Sequence, residues 1–209
     1  MRVAGRGLTI LELMTALAVL GILTTLAVGG LQGTLRTQRI SSAQRAIYLE
    51  AQEARQQARR SGQPVRLAIV DTIADGQTVS GLRWEQLDCV STSTWGEGCP
   101  IPACHTSACG SGGCTCAKTG VPVPVPPELD VSSLAGVCWL SGEVSRVVAR
   151  AGATTCDPAN PAPAAGTLRL RKGDGNGNYR VERVLNVNSL TGTLQMVDCD
   201  LTPAEPGCS

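Results

Sequence analysis

Cysteine is the residue type in this chain that could take part in the most kinds of chemistry: disulfide formation, metal binding and nucleophilic catalysis. Ten cysteines occur in 209 residues, a density typical of domains that fold in an oxidising compartment. Because ten thiols can form five disulfides, we predict a cross-linked domain, with a connectivity that the sequence leaves open. The candidate disulfide cysteines are Cys89, Cys99, Cys104, Cys109, Cys114, Cys116, Cys138, Cys156, Cys199 and Cys208.

Six of these cysteines fall in the segment 88–130, which is otherwise dominated by Gly, Ser, Thr and Pro. The segment holds too little apolar area to fold alone, so we expect disulfides to hold it as an insertion in a larger domain. Cys199 and Cys208 close a short C-terminal loop, and we predict that these two pair. Each bridge is expected to stabilise the fold by about 2–4 kcal/mol.

Two other chemistries are open to this insertion. Its thiols, together with His105, offer enough ligands for zinc, but the spacing lacks the C-x-x-C pairs common in zinc sites. Cys104 beside His105 also suggests a nucleophile and its base, although sequence neighbours rarely face each other as that chemistry requires. His105 is the sole histidine of the sequence, which excludes a multi-histidine metal site. We therefore predict a protein without enzymatic activity, catalytic residues, metal or cofactor.

A further candidate site is the sequence Gly-Asp-Gly-Asn-Gly-Asn at 173–178. It places oxygen ligands at alternate positions, as a calcium loop does, but Tyr179 stands where a hand-type loop needs glycine and Leu185 where it needs glutamate. A glycine-rich β-turn is therefore the favoured interpretation. Nearby basic residues could bind phosphates or form a charged strand edge that discourages pairing. They are Arg169, Arg171, Lys172, Arg180 and Arg183.

The elements that must position these residues begin with an N-terminal helix. The segment 8–31 is apolar except for Glu12, and its length of about 36 Å as a helix exceeds a bilayer core of about 30 Å. In 32–60, Ala, Gln, Arg and Glu dominate, and apolar residues recur at helical spacing. Gly62 and Pro64 then form a stop signal. We predict one continuous helix, transmembrane over 8–31 and amphipathic over 32–60.

The start of this helix carries a resemblance to a known family. Gly7-Leu8-Thr9-Ile10-Leu11-Glu12-Leu13-Met14 resembles the class III leader of type IV pilins and pseudopilins. The resemblance implies that a prepilin peptidase removes the leader 1–7 by cutting between Gly7 and Leu8, and that it methylates the new amine of Leu8. Glu12 is then expected to set assembly register by pairing with such an N-terminal amine. The alternative is a hydrated carboxylate near a membrane interface.

Two further stretches narrow the resemblance to the GspH/FimT type of minor pilins and pseudopilins. They are the Ala- and Arg-rich helix end that leads into a first strand, at 40–70, and the C-terminal hairpin at 183–194. The resemblance implies a minor pilin of a type IV pilus with an assembly role. The Cys- and Gly-rich composition of 88–130 adds the hypothesis that this insertion is exposed near the fibre tip for contact or adhesion. The alternatives are a type II secretion pseudopilin and, in another class, a DNA-binding receptor for DNA uptake.

The resemblance also implies partners and a location. We expect contacts with other pilins or pseudopilins through the N-terminal helix, with the prepilin peptidase and with an inner-membrane assembly platform. Nucleic acid is the less favoured partner, because the formal net charge is only +1. The expected location is a single pass of the inner membrane with a periplasmic globular domain, followed by a pilus or pseudopilus at the cell surface.

The remaining residues, 61–209, predict a β domain, because short runs alternate apolar and polar residues as half-buried strands do. The predicted fold class is α+β and pilin-like. A long N-terminal helix, transmembrane and then amphipathic, packs on an antiparallel β domain with a disulfide-rich insertion at about 88–130. The predicted strands are 65–70, 79–86, 136–140, 145–150, 167–171, 179–187 and 193–197.

Overall fold

The structure of the chain is a computed structural model that describes residues 9–89, 102–140, 146–151 and 155–208, without the side chains of 25–32. The predicted leader, its cleavage point at Gly7 and Leu8, and Cys99 lie outside the described residues. The chain divides into two compact units, Met1–Ser41 and Ser42–Ser209.

One helix, α1 (Ile10–Ser61), runs through both units. It begins directly after Thr9 and ends before Gly62, whose φ of +68° is a conformation that glycine adopts without strain. The N–H of Gly62 donates to the carbonyl of Ala58 at 3.1 Å and closes the last turn. The predicted continuous helix and its stop signal are therefore confirmed over the described residues.

The predicted membrane crossing at 8–31 is wrong for the part of α1 that the structure describes. No helix among the described residues is both long enough and apolar enough to cross a membrane. The helical half of the fold prediction stands, and its transmembrane half is corrected.

Within the unit Ser42–Ser209, the C-terminal part of α1 is amphipathic as predicted. One stripe of its side chains is buried while Glu53 and Arg59 on the other side are exposed. Small residues dominate the stripe, so the helix backbone approaches the sheets closely. The buried apolar side chains of this stripe are Ala43, Ile47, Ala51, Ala54 and Ala58.

The rest of this unit is antiparallel β structure, as predicted. The described strands are β1 (Val65–Ala74), β2 (Gln77–Leu87), β3 (Cys116–Thr119), β4 (Val123–Pro124), β5 (Leu129–Asp130), β6 (Cys138–Leu140), β7 (Arg146–Val148), β8 (Arg169–Gly173), β9 (Tyr179–Val187) and β10 (Leu194–Asp198). Two short helical turns, α2 (Ala103–Thr106) and a 3₁₀ turn at Ser132–Leu134, lie between strands.

The strands form two sheets among the described residues. The first has the order β3-β2-β1-β6-β7, with β4 also paired to β2, and the second has the order β10-β9-β8-β5. β1 and β2 form a long hairpin in which Val65 faces Gln86 and Ala74 faces Gln77. Its turn is Asp75–Gly76, and both residues have positive φ, +52° and +75°. That is the backbone twist that a two-residue hairpin requires.

All seven predicted strands are present, and β9 has the predicted bounds. The sequence analysis missed β3, β4 and β5, which are two to four residues long and too short for a periodic signal. β3 and β4 cover the free side of β2. The end of the insertion at 88–130 is therefore built into the first sheet and is not a separate loop.

Candidate functional site

The first candidate site is the start of α1, where Thr9 and Glu12 form a capping box. The Thr9 N–H donates to Oε2 of Glu12 at 3.2 Å, and the Glu12 N–H donates to Oγ1 of Thr9 at 3.2 Å. Two backbone donors that a helix start leaves unpaired are thus satisfied reciprocally. The T-x-x-E spacing at 9–12 is a sequence signal for this arrangement that our sequence analysis did not use.

The second candidate site is the surface of α1 that follows this capping box, which we call the apolar rod (Ile10–Leu23). Its large apolar side chains point to every side of the helix, because their positions cover the full 100°-per-residue wheel. All of them are more than half exposed, from 55% for Leu13 to 82% for Ile10. A helix that is apolar all round is normally buried by neighbours. The exposed members are Ile10, Leu11, Leu13, Met14, Leu17, Val19, Leu20, Ile22 and Leu23.

The third candidate site is the cysteine-rich insertion, where the predicted cross-linking is confirmed. Cys104 pairs with Cys114 and Cys109 with Cys116, with Cα–Cα separations of 4.6 and 5.6 Å. Cys89 is disulfide-bonded as well, and Cys99 lies outside the described residues.

Two further bridges lie beyond the insertion. Cys138 pairs with Cys156 across 5.2 Å between their Cα atoms. Cys199 pairs with Cys208 across 5.3 Å, as the short C-terminal loop predicts. Cys138 and Cys156 are fully buried beside Leu140 and Val148, so this bridge is part of the apolar core as well as a cross-link.

A buried charge network under the insertion was not predicted. Glu85 on β2 is 0% exposed and binds two arginines, one on each side. Arg66 donates from Nε and Nη2 to Oε2 at 2.9 and 2.8 Å. Arg83 donates from Nε and Nη2 to Oε1 at 3.0 and 2.7 Å. Two paired guanidinium groups satisfy this buried carboxylate, which would be costly if left alone.

The same network holds the backbone of the insertion against the sheet. Arg66 donates to the carbonyl of Cys104 and, at 2.7 Å, to that of Ser107. Arg83 donates to the carbonyl of Cys109 at 2.9 Å, and the Cys109 N–H donates to Oε1 of Glu85 at 3.0 Å. These backbone atoms belong to three residues of the insertion, Cys104, Ser107 and Cys109, so the network fixes the path of the backbone between them. The alternation of apolar and polar residues predicts that Arg66, Arg83 and Glu85 lie on strands. No signal in the sequence distinguishes these buried or partly buried charged residues from charged residues that are exposed on a strand.

The structure does not bring Cys104 and His105 together as nucleophile and base. The Sγ of Cys104 is bonded to Cys114, and Nδ1 of His105 accepts the backbone N–H of Thr155 at 3.1 Å. His105 and Thr155 border a small cavity of about 130 Å³. This volume suits a few water molecules, whereas ligand pockets usually enclose about 300–1,000 Å³.

The loop at 173–178 is a turn between β8 and β9, as favoured. The Asp174 carboxylate accepts the N–H of Asn176 at 2.7 Å and that of Asn178 at 3.2 Å. These bonds, with a further one from the side-chain amide of Asn178, hold the pKa of Asp174 below its ordinary value. The carboxylate thus organises its own turn, in the manner of an Asx turn.

The basic residues near this turn are mostly paired with carboxylates. Arg171 pairs with Asp130, Arg180 with Asp200, and Lys172 with Glu182 at 3.0 Å. Arg183 lies 3.7 Å from Asp198, and Arg169 donates to the carbonyl of Gly166 at 2.8 Å. Each pairing offsets the positive charge that a phosphate backbone would need. The geometry thus favours the charged-strand interpretation over a nucleic-acid surface.

Glu50 on α1 is a buried acid at the contact of helix and first sheet. It is 7% exposed, and its Oε1 accepts the backbone N–H of Trp84 at 2.9 Å. Burial raises the pKa of Glu50, the bond from Trp84 opposes that rise, and the charge of Glu53 adds to it. Gly120 lies so close that an added Cβ would sit 2.6 Å from this carboxylate oxygen. Glu50 thus serves the packing of helix on sheet.

Comparison of the chain with protein-family models, with curated proteins and with solved structures found no match in any of the three. The resemblance to pilins carried by Gly7 to Met14 therefore remains a prediction.

Proposed function

We propose that the chain is a minor pilin, a fibre subunit whose apolar rod packs among the like helices of neighbouring subunits. Residues 1–7 are removed by a prepilin peptidase, the amine of Leu8 is methylated, and an assembly platform adds the subunit to the fibre. The unit Ser42–Ser209 is the part that the fibre presents at the cell surface. A type II secretion pseudopilin shares the same helix packing and is separated from a pilin by the partners it contacts.

The observation that carries this proposal is the all-round exposure of the apolar rod. Burying a Leu- or Ile-sized side chain stabilises an assembly by about 1.5–3 kcal/mol, and nine such side chains are more than half exposed. A single partner helix would cover only one side of the rod. A bundle of several helices covers all of it, which is the arrangement of a pilin fibre core.

The disulfides support the proposed location outside the cytoplasm. Nine of the ten cysteines are described, and all nine are disulfide-bonded. Such bonds persist in oxidising compartments and at cell surfaces. The described part of the insertion supports a contact role, since its polar residues Thr106 and Ser111 are exposed on a backbone that disulfides hold.

Site-specific photo-crosslinking in the native cell tests the packing of the apolar rod. A photoreactive amino acid replaces Leu13 or Leu20 in the rod, and, as matched controls, Ile73 or Leu201, which are 75% and 81% exposed in the other unit. We expect adducts with pilin-type subunits from both rod positions and none from the controls. Equal adducts from the controls, or none from the rod, would overturn the proposal. Adducts with secretion-system subunits would identify a pseudopilin.

Intact-mass analysis of the fibre-associated protein tests processing separately. We expect a chain that begins at Leu8 with one added methyl group, whereas a chain that begins at Met1 contradicts the leader assignment. For the contact role, we expect T106E/S111E to weaken attachment of cells to a surface without changing the amount of subunit in the fibre. Unchanged attachment contradicts the adhesion role alone.

A further inference from the structure

Two neighbouring disulfides of the insertion place four sulfur atoms side by side, and we call these residues the four-cysteine cluster (Cys104, Cys109, Cys114 and Cys116). The Sγ atoms of Cys104, Cys114 and Cys116 all lie within 4.8 Å of one another. Those of Cys114 and Cys116 are 4.0 Å apart although they belong to different bridges. The fourth sulfur, from Cys109, is bonded to that of Cys116.

This spacing is close to that of a tetrathiolate metal site. In tetrahedral zinc sites the Zn–S bonds are about 2.3 Å, which puts neighbouring sulfurs about 3.8 Å apart. The sequence spacing of these cysteines has no C-x-x-C pair, which argued against zinc. The fold nevertheless brings the sulfurs of Cys104, Cys114 and Cys116 within 4.8 Å of one another, with that of Cys109 bonded to Cys116, although the cysteines are not close in the C-x-x-C sense.

The backbone around the cluster is held by contacts that do not involve sulfur. The carbonyl of Cys104 accepts from Arg66, and that of Cys109 accepts from Arg83 at 2.9 Å. Cys116 belongs to β3, which is hydrogen-bonded to β2. Opening the S–S bonds therefore leaves the backbone of Cys104, Cys109 and Cys116 anchored by these contacts.

The charges around the cluster suit bound thiolates. Nη2 of Arg66 lies 3.8 Å from the Sγ of Cys114, and a nearby guanidinium stabilises a thiolate over a thiol. Arg66, Arg83 and Glu85 together carry a charge of +1, which partly offsets the −2 of a divalent cation with four thiolates. Cys104 and Cys114 are only 1% and 2% exposed, so the site is closed on one side, as structural metal sites are.

We propose that reduction of both bridges converts the four-cysteine cluster into a tetrathiolate site for Zn²⁺. A dithiol reductant supplies two electrons and two protons to each disulfide and is itself oxidised to a disulfide. One Zn²⁺ then binds the four sulfurs and displaces their four protons to the solvent. The metal replaces the two bridges as the cross-link, so the insertion keeps its fold in reducing as well as oxidising surroundings. This inference does not depend on the proposed fibre function.

The test uses the full chain, reduced with a dithiol, freed of it under inert gas and titrated with Co²⁺ as a spectroscopic substitute for Zn²⁺. We expect one equivalent to give a thiolate-to-cobalt charge-transfer band and the visible bands of tetrahedral geometry, both abolished by Zn²⁺. C104S/C114S should weaken Co²⁺ binding by about 100-fold or more. That loss exceeds the one caused by removing groups that only hydrogen-bond to the metal ligands. The matched control C199S/C208S removes a bridge that closes a chain loop of similar length. It should bind Co²⁺ as wild type does.

Two results would overturn the inference. One is a reduced wild-type chain without the charge-transfer band, and the other is an equal loss of binding in both double variants. Because C104S/C114S could also unfold the insertion, a second measurement uses wild type only. Reduced protein is alkylated with iodoacetamide with and without Zn²⁺, and the modified cysteines are mapped by mass spectrometry. Zn²⁺ should protect the four-cysteine cluster and leave Cys199 and Cys208 reactive, whereas protection of none or of all cysteines contradicts the site.

Discussion

Thr9 and Glu12 each accept the backbone N–H of the other at the first turn of α1, across 3.2 Å in both directions. Glu12 is predicted to pair with a processed N-terminal amine, and the structure adds a role within the same helix. The two roles need different properties of the side chain. The cap needs an oxygen acceptor, whereas pairing with an amine needs the negative charge.

Two substitutions separate these roles of Glu12. T9A removes the cap but keeps the charge, and it should cost about 1 kcal/mol of local helix stability, or roughly fivefold faster amide exchange at Ile10–Leu13 by mass spectrometry. E12Q keeps an acceptor and removes the charge, so exchange should stay near wild type while the amount of subunit in the fibre falls. Normal fibre incorporation of E12Q would show that the charge sets no register.

The buried carboxylate of Glu85 should be among the most sensitive positions of the chain. E85Q leaves the buried Arg66 and the partly buried Arg83 without a counter-ion, and breaking a buried ion pair costs about 3–5 kcal/mol. Urea unfolding followed by circular dichroism measures the loss. D200N is the control, because Asp200 pairs with Arg180 at the surface, where such pairs contribute about 0–1 kcal/mol. A small effect of E85Q, close to that of D200N, would contradict the assigned role of the network.

Glu50 should make the fold less stable as the pH rises. Its raised pKa means that the folded state disfavours the ionised carboxylate. Its favourable contribution is therefore full below the ordinary pKa of 4.5 and is lost as the pH rises through the higher folded-state value. E50Q stays neutral, so its free energy of unfolding should rise relative to wild type between about pH 4 and pH 7. E53Q removes only the smallest of the three causes of the shift, the charge of Glu53, so its free energy of unfolding should rise by less than that of E50Q over the same pH range.

Much of the fold could be predicted from the sequence where the physical cause is local. β9 has the predicted bounds because its apolar and polar residues alternate. The hairpin of β1 and β2 is longer than predicted, because its outer residues 71–74 and 77–80 are all exposed or partly exposed and their sequence does not alternate apolar with polar residues. The turn at Asp75–Gly76 was a usable signal for that longer hairpin.

Non-local relationships could not be predicted from the sequence. Glu85 is buried because residues from 102–116 cover its face of the sheet, and its own neighbours in sequence do not reveal that cover. The same holds for the bridges Cys104–Cys114 and Cys109–Cys116, since several pairings fit the same spacing. Cys199–Cys208 was predictable because only a short loop separates the two thiols.

The two bridges outside the insertion should differ in their contribution to stability. Cys138–Cys156 closes a loop of 18 residues and Cys199–Cys208 one of 9, so chain entropy alone predicts about 3.2 and 2.6 kcal/mol. Cys138 and Cys156 are also fully buried, and C138A/C156A adds the cost of a cavity. Thermal and urea unfolding of C138A/C156A and C199A/C208A should therefore rank the first as the less stable. A difference of only about 0.6 kcal/mol, that of chain entropy alone, would show that burial of the sulfurs contributes nothing, and the reverse ranking would contradict both contributions.

Gly120 should tolerate no side chain, because it lies in the contact between α1 and the first sheet. A Cβ there would be 2.6 Å from Oε1 of Glu50 and 2.6 Å from Nε1 of Trp84, and both side chains are buried. G120A should therefore cost about 1–3 kcal/mol of unfolding free energy and change the near-ultraviolet circular dichroism of tryptophan. The same substitution at Gly33 is the control, since an added Cβ meets nothing within 4 Å there and alanine favours a helix by about 1 kcal/mol over glycine. If the substitutions at Gly120 and Gly33 changed the free energy of unfolding in the same direction, the close packing of helix on sheet at Gly120 would be contradicted.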